Sequence, residues 1–460
     1  MGLNENIRYL NIGLPDDIRQ HKEAGNYTEA IRLIDRRMEE TWLPECMKKC
    51  MIAEKELMQR TAVNFPYTRE TALAKIREKV ADFTEEEFNK YMDDRRIRWI
   101  YIDGQQRIVD SFYGTLNKTE PAFAKRTAYT TNNLETVRDA SEEEHPLDRC
   151  MRIMKEKGKM TVRLHMRAYI KLEDQAFKPG MKVKLHLPIP ADCEQQSEIQ
   201  ILDSTPGGKI DPADAWQRTI SWDEEMQENH PFFVEYSYVH CAKYHETEGK
   251  PGDAVQPTFS TEEEAPHIVF TPYIKALVGE LTEGLTDPME KARAIYNFIT
   301  HNMKYTFMQD YFTLENIPDS CAKNYNGDCG VLALTFVTMC RCAGIPAEWQ
   351  SGMDAEPWDC GGHDWTRFYI APYGWFFADP SYGTSAFRSG NLERNKFYFG
   401  NLDPYRFVAN RGFMKPFLNE KKYWRQDPYD NQSGEMECEE RGFRGEELDG
   451  NCEVISCEEI

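Results

Sequence analysis

The chain has 460 residues, 40% hydrophobic and 12% aromatic, enough to bury sizeable cores in about three domains of ordinary size. Its net charge of −21 argues against nucleic acid or an anionic membrane surface as a partner. No stretch approaches the ~18 apolar residues of a membrane-spanning helix. The N-terminus, Met1-Gly2-Leu3-Asn4-Glu5-Asn6, lacks a basic region followed by an apolar one, so no secretory leader is read. The 13 cysteines, an odd number, fall largely inside helix-like or strand-like runs. They are expected to be reduced thiols in a cytoplasmic protein rather than a disulfide frame.

The first 127 residues form a helical region with a small hairpin. Asn26-Tyr27-Thr28-Glu29 offers a helix N-cap, with Ala30, Ile31, Ile34 and Met38 following at helical spacing, and Thr84 to Glu87 repeats the capping pattern. Asp103-Gly104, between Arg98–Ile102 and Gln106–Val109, signals a tight hairpin. Packing or dimerisation is the expected role of this region. Residues 128–155 read as a linker, rich at first in Thr, Asn and Glu.

From 156 to 265 the apolar period changes to two, which predicts a β-sandwich domain. Val162, Leu164, Met166, Ala168 and Ile170 share one face of a strand. Met181, Val183, Leu185 and Leu187 do the same, with Lys182, Lys184 and His186 opposite. Further strands fit near 198–202, 219–222 and 232–244, separated by turn residues. His165, His186 and His240 are expected on polar strand faces rather than around a metal.

Residues 266–426 carry the chemistry. Thr271-Pro272 and Asp287-Pro288 are cap and first-turn pairs for two helices, the second with Met289, Ala292, Tyr296, Ile299 and Met303 as its apolar stripe. Next comes Gly327-Asp328-Cys329-Gly330, an apolar run to Cys342, and Ala343-Gly344-Ile345-Pro346. Asp328 is the expected N-cap and Cys329 the first helical residue. There the helix dipole favours a thiolate, which is the nucleophilic form. Gly344 stands where a left-handed C′ residue is wanted, and Pro346 forbids continuation. Two aromatic strand-like segments, 363–370 and 375–379, flank Ala371-Pro372-Tyr373-Gly374, a hairpin pattern. His363 opens the first strand and Asp379 closes the second, so antiparallel pairing brings them to one end. A carboxylate there can orient the imidazole while its other nitrogen faces a thiol.

These motifs, Gly-Asp-Cys at 327–329, Gly-Ile-Pro at 344–346, His363-Asp364-Trp365 and Asp379-Pro380, resemble the core of the transglutaminase-like superfamily, the papain-related cysteine acyl-transfer enzymes. Tyr398 to Pro404 resembles the segment that follows the Asp in bacterial members, and the likeness spans roughly residues 266–425. It implies an α+β fold, with the helical region and sandwich preceding a papain-like core, and a Cys329, His363, Asp379 triad. It also implies that an upstream side chain shares the oxyanion with the Cys329 N–H, for which Gln309 and Tyr305 are the candidates. Trp365, Asp328 and Tyr382 are the substrate-cleft candidates.

The expected function is acyl transfer or hydrolysis on a peptide-like amide through a thioester, needing no cofactor, with a protein or peptide as substrate. A cysteine protease with the same triad is the enzyme alternative. A non-catalytic peptide-binding scaffold is the alternative of another class. The absence of paired Cys-x-x-Cys motifs argues against structural zinc and against a peptide N-glycanase, and a missing Arg-Gly-Gly lead before the Cys argues against an arylamine acetyltransferase. The tail, residues 427–460, carries 12 acidic and 2 basic residues. Disorder and a last strand pair over the core are both open for it.

Overall fold

The computed structural model describes residues 3–128 and 144–460. Most of the predicted linker, 129–143, lies outside them. The N-terminal region opens with a 3-10 segment, Leu3–Ile12, then α1 (Asp16–Glu23), α2 (Tyr27–Met38), α3 (Glu45–Asn64), α4 (Arg69–Arg77) and α5 (Glu85–Asp93). Thr84 and Glu87 form the reciprocal capping box predicted for α5. Asn26 makes no side-chain cap for α2. Instead Asp103 Oδ1 and Oδ2 accept from the backbone N–H and hydroxyl of Thr28, at 3.1 and 2.6 Å. Asp103 and Gly104, both at positive φ, turn the hairpin β1 (Trp99–Ile102) and β2 (Gln105–Ile108), the backbone such a two-residue turn requires. Helices α6 (Phe112–Thr119) and α7 (Pro121–Arg126) complete the region.

The second half of the predicted linker is helical. In α8 (Pro146–Lys157), Leu147, Cys150, Ile153 and Met154 recur at helical spacing and are buried. The sandwich follows: β3 (Lys159–Leu172), β4 (Met181–Pro188), β5 (Gln196–Ser204), β6 (Lys209–Ile210), β7 (Thr219–Met226) and β8 (Phe232–Lys243). His165, half-buried, bonds Glu235 at 2.7 Å. The polar-face expectation is corrected for His186 and His240, which are 0% and 1% exposed. His186 lies where the 413–421 segment covers the sheet and stacks on Phe417 at 4.4 Å. Burial pushes the imidazoles of His186 and His240 down to about 3 and about 4, so both are neutral.

The core domain starts with α9 (Pro272–Leu281) and α10 (Pro288–Asn302), capped by Thr271 and Asp287 as predicted, with all five residues of the predicted α10 stripe buried. Then come β9 (Lys304–Tyr305), α11 (Ile317–Asn324), β10 (Asn326–Gly327) and α12 (Cys329–Cys342). A five-stranded sheet, ordered β14-β13-β12-β11-β15, packs on α12. Its members are β11 (Ala347–Glu356), β12 (Asp359–Ile370), β13 (Gly374–Ala378), β14 (Phe399–Gly400) and β15 (Arg406–Asn410), with α13 (Pro380–Arg388) and α14 (Leu392–Phe397) inserted before β14. Helix α12 is buried from Cys329 to Arg341 rather than on one stripe, because α9, α10, α11 and α13 enclose it opposite the sheet. The acidic tail is ordered as strands. β16 (Glu435–Cys438) joins β4, β7 and β6, and β17 (Leu448–Glu459) pairs with β3 along most of its length, so each sandwich sheet is completed from the C-terminus. One hydrophobic core runs through sandwich and core domain alike.

Candidate active site

The site forms where the start of α12 meets the open end of the five-stranded sheet. Asp328 caps α12, as its position predicts. Its Oδ1 accepts from the Val331 N–H at 3.3 Å and from the Tyr311 hydroxyl at 2.5 Å, and its Oδ2 from the Met308 N–H at 3.1 Å. These bonds consume the carboxylate, so Asp328 is a structural cap and not the cleft residue expected. Cys329 follows as the first helical residue, only 9% exposed.

His363 and Asp379 meet as the hairpin predicts. The register pairs Thr366 with Ala378, which brings Asp379 beside the middle of β12, and His363 Nε2 lies 2.8 Å from Asp379 Oδ2. The strand begins at Asp359, so His363 does not open it as expected. Arg406 Nη1 stands 2.9 Å from the same oxygen, and Arg406 is held in turn by Asp403 Oδ2 at 2.5 Å through Nη2. Burial alone would raise the Asp379 carboxyl. The His363 and Arg406 charges more than offset it and hold the carboxyl below its ordinary value. Among the described residues nothing hydrogen-bonds to His363 Nδ1, and the ring borders a cavity of about 590 Å³.

The sulfur does not join them. Cys329 Sγ donates to Asp364 Oδ2 at 3.3 Å and makes no hydrogen bond to His363. Strand alternation is the reason. Asp364, Thr366 and Phe368 face α12, where Phe368 meets Phe336 at 5.7 Å, while His363 and Trp365 take the opposite face. The expected easing of ionisation at the helix start is also reversed. Burial, with the charges of Asp364 and Asp328, pushes the Cys329 thiol well above its ordinary value. Burial and the Asp328 charge push Asp364 itself up to about 8. A helix dipole contributes about 1 kcal/mol at a surface. Two carboxyl neighbours in a dry site outweigh it.

Of the oxyanion candidates, Tyr305 lines the cavity and lies close enough to Cys329 for the two charges to interact. The parallel pairing of β9 with β10, Tyr305 opposite Gly327, puts it there. Gln309 is buried with its Oε1 taken by Arg98, from the N-terminal region. Trp365 is fully buried, its Nε1 donating to Gln350 Oε1 at 2.9 Å, so it is a strut behind the site and not a cleft wall. Tyr382 does line the cavity. Its ring lies 4.8 Å from that of His363, and its hydroxyl lies within hydrogen-bond distance of both Asp354 Oδ2 and Glu356 Oε1, at 3.1 and 3.2 Å.

Sequence reasoning missed Asp364, Arg406 and Gln432. Asp364 stood inside the quoted His363-Asp364-Trp365 motif, and Arg406 two residues past the quoted 398–404 segment, so position was a signal for both. Gln432 had none. It comes from the tail, donating Nε2 to the His363 carbonyl and to Asp364 Oδ1 at 3.2 and 3.3 Å. Cys360 is a strand residue of β12 paired with Ala355. Among the described residues no cluster of three or more His, Cys, Asp or Glu is arranged to hold a metal ion, and no helix is long and apolar enough to cross a membrane.

Residues 275–380, which run from α9 through Cys329 and His363 to Asp379, match the model of the transglutaminase-like superfamily. No curated protein matches the chain. Among solved structures, a candidate cysteine protease from Cytophaga hutchinsonii aligns at 14% identity and a TM-score of 0.38, over 66% of this chain and 91% of that one. The periplasmic domain of TgpA from Pseudomonas aeruginosa aligns at 16% identity and a TM-score of 0.27, over 57% of this chain and all of that domain. A candidate protease from Parabacteroides distasonis aligns at 11% identity and a TM-score of 0.20, over 50% of this chain and 64% of that one.

Proposed function

We propose that this chain, whose residues 275–380 are a transglutaminase-like domain of a cysteine-dependent enzyme family, is an acyl-transfer enzyme acting on peptide-like amides. Cys329 is the nucleophile, His363 its acid–base partner and Asp379 the group that fixes the imidazole. The observation that carries this reading is the 2.8 Å bond from Asp379 to His363 Nε2, with Nδ1 left open beside the cavity. That bond supports a defined tautomer and a stabilised imidazolium, which a general acid–base residue needs.

In the reaction the Cys329 side chain must first turn from Asp364, which it meets in this structure, toward the His363 side of β12, and it then passes its proton to His363 Nδ1. The sulfur attacks the amide carbonyl and forms a tetrahedral oxyanion. The Cys329 N–H at the start of α12, with Tyr305, supplies the donors for it. His363 then protonates the departing amine or ammonia, leaving a thioester. Water or an amine takes the acyl group. The cavity is large enough for a peptide side chain, within the usual few hundred Å³ of ligand sites.

Incubation of the full chain with a peptide library, followed by mass spectrometry, tests the reading. Deamidation, cross-linking and cleavage each leave a different mass signature, and the expected product disappears in Cys329→Ala and His363→Ala. No product from the wild type, or product that survives Cys329→Ala, rejects it. Fresh N-termini in place of ammonia release would identify a protease working through the same residues.

A further inference from the structure

Cys329 has a partner that the reaction above does not use. Its Sγ–H points at Asp364 Oδ2, and that carboxyl is a built feature rather than a chance neighbour. Asp364 is 2% exposed, its Oδ1 accepts from Gln432 Nε2, and Asp430 faces it while accepting from the Ser351 hydroxyl at 2.8 Å. Gln432 and Asp430 belong to the tail segment that leads into β16, so the C-terminus supplies the wall behind the nucleophile.

We propose that Asp364 is a positioning residue that keeps the Cys329 thiol protonated and turned from His363, a brake on the nucleophile that tightens when its own carboxyl ionises. The inference rests on Cys329 serving as the nucleophile. A carboxylate 3.3 Å from sulfur opposes a second negative charge there, and in a water-poor site that opposition is strong. Other titratable groups surround the sulfur from several elements. Asp328 lies on its own helix start, Tyr305 on β9, Tyr311 on the 3-10 segment Tyr311–Thr313, and Lys118 on α6. Asp427 and Asp430 bear on Asp364 from the tail. Of these, only Asp364 hydrogen-bonds the sulfur.

The brake has a pH signature. Below about 8 Asp364 carries its proton and resembles Asn, so removing its charge changes little. Above that pH it is anionic and each further thiolate forms against it. The experiment is site-resolved alkylation of Cys329 by iodoacetamide in the full chain, across pH, for the wild type, Asp364→Asn and Asp364→Ser. The ratio of variant to wild-type rate is expected near one at about pH 6 and about tenfold or more near pH 9. A ratio that stays flat with pH, or below one throughout, overturns the proposal. Were both variants to misfold, the wild type alone still decides. Its rate climbs with pH and levels near pH 8 as Asp364 ionises. An unbroken climb overturns the brake. Failure of the reaction reads differently: no peptide product with the levelling intact leaves Asp364 in its role, whereas product with no levelling removes that role and spares the chemistry.

Discussion

Arg406 shows how much a single side chain organises this site. It is wholly buried between two carboxylates, Asp379 and Asp403, and its guanidinium lies 4.5 Å from the centre of the Tyr382 ring. A buried charge with good partners adds little net stability, but removing one partner strands the rest. Arg406→Met leaves Asp403 without its cation and Asp379 with His363 alone, and is expected to cost about 3–5 kcal/mol in urea unfolding. The pH sign follows from Asp379. Its folded carboxyl titrates below its ordinary value, so it contributes stability above that value and loses it as pH falls through the folded one. Arg406→Met removes one cause of the depression, so acid unfolding should begin at higher pH. Asp364 has the opposite sign. Raised to about 8, it favours the fold most at low pH and progressively less as pH rises toward that value. Asp364→Asn should therefore gain stability over the wild type near pH 8, with the gain shrinking toward pH 4, as thermal unfolding across pH would show.

Two glycines separate local strain from packing at the scale of elements. Gly344 ends α12 at φ +77° with open space where a Cβ would stand. Gly344→Val should cost about 1 kcal/mol or more through backbone strain alone. Gly352 lies on β11, opposite His363, at a bulge against β15. A Cβ there would meet the Phe407 carbonyl oxygen at 1.9 Å, a backbone atom that cannot swing aside. Gly352→Ala should push β15 and its Arg406 outward. A stability loss of about 3 kcal/mol is expected, together with loss of the His363–Asp379 geometry, visible as changed imidazole NMR chemical shifts. A Cβ at Gly344 meets nothing within 4 Å, so Gly344→Val serves as the control. A similar NMR change in Gly344→Val would mean that the His363–Asp379 geometry depends on the end of α12 as well as on β15.

Across the whole molecule, the chain's two ends meet its middle. Arg98 reaches Gln309 and Arg96 the Tyr305 carbonyl, so the segment between α5 and β1 braces the approach to Cys329. The tail contributes a strand to each sandwich sheet and, on the way, Asp427, Asp430 and Gln432 behind Asp364. Ending the chain before Gly434 removes both strands, uncovering apolar residues of β3 and β4 and their backbone edges. Such a truncation is expected to aggregate or to lose its cooperative thermal transition in circular dichroism, rather than to leave an intact core with a shortened tail. A sharp transition with unchanged midpoint would show the tail to be an accessory.

Local chemistry wrote much of this protein legibly in its residues. The capping pairs at Thr84, Thr271, Asp287 and Asp328, the turn at Asp103-Gly104, the period-two sandwich strands and the meeting of His363 with Asp379 all depend on neighbours a few positions apart, or on one hairpin's register. The tail's return to the sandwich, Arg406 between two carboxylates, the burial of His186 and Trp365, and the turning of the Cys329 thiol toward Asp364 were decided only in three dimensions. Each joins segments whose separation along the chain carries no periodic signal. Which face of β12 a helix covers, and how dry that face is, determines whether a thiol at a helix start meets an imidazole or a carboxyl.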